Sequence, residues 1–386
     1  MKNIKLLNKI SKFGTDKFCS AKYNVSETIE APDAIMVRSA AMHDMEFGKE
    51  LLAIARCGAG VNNIPCDRCA DEGIVVFNTP GANANGVKEL AIASLLLASR
   101  DIVGGIEWAN GLAGNEDVAK AVEKGKSAFV GPELKGKTLG VIGLGAIGGM
   151  VANAAASLGM NVLGCDPYMT VDSAWRLSSD VKKAETFEAV YAESDYISIH
   201  VPATPKTKGM INAASMAIMK DGVRIINLSR ADLVNINDMK AALESGKVAR
   251  YVTDFPNNET IGVKGIVATP HLGASTPESE DNCAIMAAEE LIDFIENGNI
   301  RHSVNYPDAV LAKSGEKRIV VLHENVPNTI NGITGIVGKD GINIEGMMNA
   351  SKNTKACTLI DTNSDITEQI IADISAIEGV IRVRVI

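Results

Sequence analysis

The sequence predicts an α/β protein: a doubly wound parallel sheet inserted in a smaller, discontinuous α/β domain, followed by a βαββαβ module. Three observations carry this expectation. Residues 138–148 read TLGVIGLGAIG, an apolar strand running into a glycine-rich turn and an apolar helix. From about residue 135 to 275, strand-like runs alternate with helical ones, the pattern of parallel crossovers. From residue 317 onward the order is strand, helix, strand, strand, helix, strand, a ferredoxin-like arrangement.

Taken in order, short apolar runs at 34–37, 51–57 and 74–78 suggest the strands of a small first unit. Residues 90–98 are apolar around the whole helical circumference, as a buried helix requires. Strands are then expected at 138–142, 161–165, 196–201, 222–228, 248–254 and 265–269, and a long helix at 278–297 is ended by Gly298. Helical patterns on both flanks of the alternating region imply that the chain crosses between domains twice. Residues 1–90 with 280–306 then form one discontinuous domain around 91–279. The polar stretch 307–316 reads as a linker to 317–386, with strands at 318–323, 342–350, 356–361 and 380–386 and helices at 328–339 and 367–376.

The 386 residues are 46% hydrophobic and carry a net charge of −9, which argues against a general nucleic-acid or membrane-surface partner. No run approaches the roughly 20 apolar residues of a membrane span, and lysines interrupt the first 14 residues where a secretory signal would need an apolar core. A cytoplasmic location is expected. The seven cysteines are scattered, with one C-x-x-C at Cys66 and Cys69; no matching pair completes a zinc site, so no metal is expected.

The glycine-rich turn carries specific chemistry. Gly143 permits the tight turn out of the strand, Gly145 lets the backbone approach a pyrophosphate, and Gly148 lets the helix pack close to the strand. Ala146 and Ile147 open that helix, whose free N–H groups face the phosphates. Asp166 follows the next strand at close to the roughly 20 residues expected of a carboxylate that receives ribose hydroxyls. That carboxylate would repel a 2′-phosphate, so NAD is favoured over NADP.

Three further residues lie just past the carboxyl ends of expected strands, where open α/β sheets bind ligands: Arg230, Glu259 and His271. An arginine offers a two-pronged donor for a carboxylate. A histidine can take a hydroxyl proton as hydride leaves, and a neighbouring glutamate would orient the imidazole and favour its charged form. Singly, each has a plain structural explanation as a surface ion pair, a solvated acid or a turn residue; together they suit hydride transfer at a 2-hydroxy acid.

GLGAIG with Asp166, HVPATPKT (200–207), NLSRADLVN (227–235), Asp254 with Glu259, and PHLGAST (270–276) resemble the D-2-hydroxyacid dehydrogenases over residues 30–305. VRSA (37–40), RCGAGVNN (56–63) and NTPGANANGVKEL (78–90) narrow the resemblance to members acting on a phosphorylated acid, and the C-terminal module is similar to an ACT domain. The resemblance implies that NAD oxidises 3-phosphoglycerate to 3-phosphohydroxypyruvate, the first step of serine biosynthesis. It makes Arg230, Glu259 and His271 the catalytic trio. It assigns NAD contacts to the 143–148 loop, Asp166, His200, Pro202, Thr207, Leu228, Ser229, Asp254 and Gly273. Gly58, Ala59 and Gly60 would present backbone N–H groups to the substrate carboxylate, and Arg38 with Ser39 match an anion-binding pair. Lys126 stands where some members place a phosphate-contacting lysine from a partner subunit; a solvated surface lysine is the other reading.

Two departures bear on loop geometry: Thr260 replaces a usual proline after Glu259, and Asn235 replaces a common aspartate. In the C-terminal module, His323, Asn325 and Asn343 match the effector contacts of serine-binding ACT domains, while Asn328 stands for a usual glycine and tolerates left-handed dihedrals. The alternative is a purely dimerising module. The resemblance implies a homodimer or homotetramer. Two rival readings stay open: reduction of another 2-oxo acid (glyoxylate, hydroxypyruvate or 2-oxoglutarate), and a non-catalytic NAD-gated binding protein.

Overall fold

The computed structural model describes residues 1–339 and 341–386. They form two compact units, Met1–Asn83 with Pro277–Ile386 and Ala84–Thr276.

The first unit opens with five parallel strands, β1 (Lys2–Leu7), β2 (Tyr23–Ser26), β3 (Ala34–Val37), β4 (Ala53–Arg56) and β5 (Val75–Asn78), in the order β2-β1-β3-β4-β5. Strands β3 to β5 are legible as apolar runs because both faces of a parallel sheet are covered; all four residues of β3 are buried. Strands β1 and β2 are not anticipated by the sequence pattern. KNIKLL mixes lysines with aliphatics, and only Ile4 in it is fully buried, so the segment lacks the continuous apolar signal of a covered strand.

The second unit holds β6 (Thr138–Ile142), β7 (Asn161–Cys165), β8 (Val181–Lys183), β9 (Tyr196–Ile199), β10 (Val223–Asn227), β11 (Val248–Thr253) and β12 (Ile266–Ala268). They form one parallel sheet in the order β12-β11-β10-β9-β6-β7-β8, the doubly wound topology expected. The order reverses between β6 and β9, and that switch point opens a crevice at their carboxyl ends. The buried helix expected at 90–98 is longer, Ala84–Ser99, and packs on helix Ala146–Ser157. Helices Ile102–Asn110 and Val118–Gly125, which sequence reasoning passes over, bury none of their residues in this chain.

Helix Pro277–Asn297 returns the chain to the first unit and packs on β3, β4 and β5. Strands β13 (Lys317–Glu324), β14 (Gly346–Lys352), β15 (Lys355–Thr362) and β16 (Val380–Val385) follow, with helices Thr329–Lys339 and Glu368–Ser375. Their antiparallel order, β14-β15-β13-β16, is the βαββαβ arrangement expected, although β14 begins at Gly346 rather than 342. One face of this sheet buries Ile319, Val321 and Ile360 under the two helices. The other buries Val320, Leu322, Cys357 and Leu359 in one core with Met36, Ala55, Phe77 and Phe294. Residues 307–316 are therefore packed rather than a free linker: Ala309 is buried and bridges to Ile300, and Ser314 N donates to Asp361 Oδ2 at 2.8 Å.

Candidate active site

In the second unit the glycine turn follows β6. Gly143 takes φ +86°, and a Cβ there would come 2.6 Å from the His200 carbonyl oxygen. A Cβ on Gly148 would strike the Gly143 carbonyl, whereas Gly145 faces open space. No side chain caps helix Ala146–Ser157 at Gly145, so its first N–H groups remain for an anion. Asp166, at the end of β7, accepts from Leu144 N at 2.9 Å and Tyr168 N at 2.8 Å. Each carboxylate oxygen keeps a lone pair for a hydroxyl donor.

The other residues expected around a dinucleotide hold the neighbouring loops together. His200 Nε2 lies 2.8 Å from Ser198 Oγ, and burial pushes the imidazole down to about 4, so the ring is neutral. Its Nδ1 is buried without a hydrogen-bond partner among the described residues. Thr207 Oγ1 donates to the Pro202 carbonyl at 2.6 Å, and Ser229 Oγ, after the buried Leu228, donates to the Ile199 carbonyl at 2.7 Å. These bonds stitch the ends of β9 and β10 on one side of the switch point.

Asp254 is the most informative group. It is 1% exposed, Oδ2 accepts from Gly273 N at 3.1 Å, and Oδ1 is buried with no partner among the described residues. Burial raises its carboxyl, against the pull of the Gly273 N–H and the nearby charges of His271 and Arg230. An unsatisfied carboxylate oxygen in a crevice calls for a donor from a ligand; the amide of a nicotinamide would supply one. With the open turn at Gly145, the uncapped helix and Asp166, the residues present fit NAD.

The charges of Arg230 and His271 thus both act on one carboxylate. Arg230 is exposed after β10, its Nη1 donating to the Ser229 carbonyl at 2.7 Å. His271 takes φ +46°, and its N–H lies 3.0 Å from the Asp254 carbonyl oxygen. Its ring rests on Phe255, centroids 4.9 Å apart. The expected contact of Glu259 with this imidazole is not formed: Glu259 lines a cavity of about 330 Å³ with Lys208, Asp232, Phe255 and Thr260. The reason is local. Thr260 is buried and its Oγ1 accepts from Asn257 N at 2.8 Å, winding the loop into a turn that holds Glu259 at that cavity. Asn235, the other departure, caps helix Ile236–Ser245.

In the first unit the carboxyl ends of β3 and β4 gather cations. Arg38 Nη2 pairs with Glu280 Oε1 at 2.5 Å, and Arg56 Nε donates to the Arg38 carbonyl at 3.2 Å. Gly58 takes φ +144°, and a Cβ there would strike the Arg56 guanidinium. Ser39 N donates to Asn8 Oδ1 at 2.9 Å, Asn78 Nδ2 to the Ala59 carbonyl at 2.6 Å, and Gly60 faces open space. Sequence reasoning misses Arg56 as a candidate, although it opens the RCGAGVNN run; it misses Phe255 because nothing in a lone aromatic names its neighbour.

Lys126 is exposed and pairs with Glu123 at 2.5 Å. In the C-terminal sheet His323 is only 2% exposed, with Nδ1 donating to the Glu324 carbonyl at 2.7 Å and Nε2 lying 2.9 Å from Thr358 Oγ1. Both ring nitrogens are committed, which leaves Asn325 and Asn343 exposed. Asn328 adopts φ +67°, as the turn demands.

A parallel doubly wound sheet with a dinucleotide turn and an Arg–Asp–His cluster at its carboxyl edge defines a nicotinamide-dinucleotide-binding dehydrogenase fold. The profile described as "D-isomer specific 2-hydroxyacid dehydrogenase, NAD binding domain" matches residues 98–273. The D-3-phosphoglycerate dehydrogenase of Haemophilus influenzae is 30% identical over 354 residues, covering 89% of this chain and 83% of that protein. The enzyme of the same name from Archaeoglobus fulgidus is 36% identical over 288 residues, covering 71% of this chain; the chain spans about half (52%) of its length. The Entamoeba histolytica 3-phosphoglycerate dehydrogenase, solved with bound NAD+, superposes with a TM-score of 0.61 at 26% identity, covering 79% of this chain and 98% of that one. The chain belongs to the D-2-hydroxyacid dehydrogenase family, and its second unit contains the family's NAD-binding domain.

Proposed function

We propose that this chain is an NAD-dependent dehydrogenase that oxidises 3-phospho-D-glycerate to 3-phosphohydroxypyruvate in the cytoplasm. The observation that carries the reading is the buried, half-satisfied Asp254 with Arg230 and His271 about it. When bound, NAD would supply the acceptor for the C2 hydride. Asp254 would hold its carboxamide end, the 143–148 turn and Asp166 would hold its pyrophosphate and ribose, and Arg230 fixes the substrate carboxylate so that C2 faces the cofactor site. His271 takes the hydroxyl proton during oxidation and returns it in reduction. In this reading Glu259 bears on His271 only after its loop moves from its present cavity.

The phosphorylated substrate is supported by the names of relatives at 30% and 36% identity and by two guanidinium groups at the ends of β3 and β4. Ala59 and Gly60 offer backbone N–H groups to the substrate, with Arg38 and Ser39 at the anion, whereas the expected Gly58 N–H is spent on the Arg56 carbonyl at 2.8 Å. Oligomerisation is supported by the arm at 102–129, which leaves Val103, Ile106 and Val118 exposed; a second copy packed there forms the dimer and could bring Lys126 to its partner's substrate. A serine effector at the C-terminal sheet would rest on Asn325 and Asn343, because His323 is committed internally.

The test is one spectrophotometric comparison: NADH formation from 3-phosphoglycerate, D-glycerate and D-lactate, each titrated with L-serine. A kcat/KM at least tenfold higher for the phosphorylated acid is expected. Equal values would remove 3-phosphoglycerate from the reading, and no turnover with any hydroxy acid would favour a binding protein.

A further inference from the structure

The Arg38 side chain is already occupied by an acid of its own chain. Its Nη2 lies 2.5 Å from Glu280 Oε1, and the two side chains keep similar exposure, 44% and 45%. Both residues belong to the first unit. Glu280 stands in the first turn of helix Pro277–Asn297, where the helix dipole favours a carboxylate. The start of that helix is anchored. Ser11 Oγ donates to Asp281 Oδ1 at 2.5 Å, and Gly14 packs so closely on Ala284 that any Cβ would strike its backbone. One turn on, the Cys283 thiol lies within electrostatic reach of Arg56, Arg38 and Glu280 together. The acid is therefore presented to the Arg38 guanidinium by an anchored helix end, with Arg56 bonded to the Arg38 carbonyl beside it.

We propose that Glu280 is a built-in competitor for the substrate's phosphate: its carboxylate holds the Arg38 guanidinium until a phosphate displaces it. The proposal rests on the reading of Arg38 as the anchor for that anion. The physical argument is an exchange. A guanidinium presents one planar fork, which pairs with a carboxylate or a phosphate but not fully with both. A phosphorylated acid must break the Arg38–Glu280 pair and then tolerate the displaced carboxylate nearby. An unphosphorylated acid leaves the pair intact. Glu280 thus raises KM selectively for the phosphorylated substrate and eases departure of the phosphorylated product. A half-exposed pair of this kind is a weak interaction, so the acid tunes affinity without abolishing it.

The test is a double-mutant cycle read as KM and kcat for D-glycerate and for its 3-phosphate. Glu280→Gln keeps the shape and removes the charge; the expected result is a roughly two- to fivefold fall in KM for the phosphorylated acid, scaled to an exposed ion pair. Neither its kcat nor the KM for D-glycerate should change. Arg38→Gln should raise KM for the phosphorylated acid, and in that background Glu280→Gln should no longer help. An unchanged or higher KM in Glu280→Gln, with Arg38→Gln impaired, overturns the competitor while leaving the anchor standing. An equal gain in both backgrounds points to long-range charge and also overturns it. If Arg38→Gln leaves KM untouched, the anchor reading itself fails, and the proposal with it. A shift of kcat together with KM for both substrates marks a structural role and overturns the proposal.

Discussion

At the scale of single residues, the site is organised by one carboxyl group. Asp254 is buried beside a glycine whose N–H it accepts, and its second oxygen waits for a donor. Arg230 and His271 each lie near enough to pull the carboxyl back toward ionisation. Arg230 is exposed, with one nitrogen held by the Ser229 carbonyl, so the remaining donors of its fork stay available. Arg230→Ala should therefore lower kcat/KM by about 1.5–3 kcal/mol, the range for a hydrogen bond to a charged group. That corresponds to a loss of more than tenfold, measured in steady state with purified protein. A loss below threefold would detach Arg230 from the substrate carboxylate.

At the scale of elements, helix Pro277–Asn297 carries a buried acid the proposed chemistry does not use. Glu290 is 8% exposed, and burial pushes its carboxyl from 4.5 up to about 9, with Asp308 and Glu289 adding to the rise. Its Oε1 lies 2.8 Å from His302 Nδ1. The folded value exceeds the unfolded one, so the contribution to stability is fully present below about 4.5 and is lost as pH rises through about 9. Thermal melts should show Tm falling from pH 5 to pH 9. Glu290→Gln, which cannot ionise, should flatten that fall and gain on the parent as pH rises. Parallel Tm profiles would mean that the carboxyl is ionised in the fold.

Elements also show where a sequence is legible. The switch-point strands and the glycine turn can be read because close approach admits only glycine at Gly143 and Gly148, and because covered parallel strands are apolar throughout. Strand β1 is hidden by its lysines, and β2, YNVS, by its shortness and its polar residues. The order of Arg230, Asp254, Glu259 and His271 along the chain is legible, since the ends of parallel strands converge. The place of the Glu259 carboxylate is not. It depends on how Thr260 and Asn257 close their turn, a choice of local hydrogen bonds that no period or spacing encodes. The commitment of both His323 nitrogens is hidden for the same reason: Thr358 stands 35 residues away in sequence.

At the scale of the whole molecule, the two ends of the chain share one unit. Strands β13 and β15 lay Val320, Leu322, Cys357 and Leu359 into the core that β3, β4 and β5 also fill. Lys355 Nζ reaches Asp71 at 2.6 Å, and Arg382 donates to the carbonyls of Leu51 and Glu72. The tie with most at stake is Arg318, whose side chain is 1% exposed against 0% for Asp361. Its Nε and Nη2 bond the two Asp361 oxygens at 2.6 and 2.7 Å, while Nη1 donates to the Asn297 carbonyl at 2.7 Å. Burial alone would raise the Asp361 carboxyl, but Arg318 and Ser314 hold it below its ordinary value. Arg318→Met removes one charge and strands the other, which costs about 3–5 kcal/mol. Arg318→Met with Asp361→Leu strands nothing and should recover most of that loss. If the shared core couples the two sheets, the single variant should speed amide exchange in β3–β5 as well as in β13–β16, and the double variant should restore both. Faster exchange confined to β13–β16 would mean that the terminal sheet unfolds on its own and the first sheet stands without it.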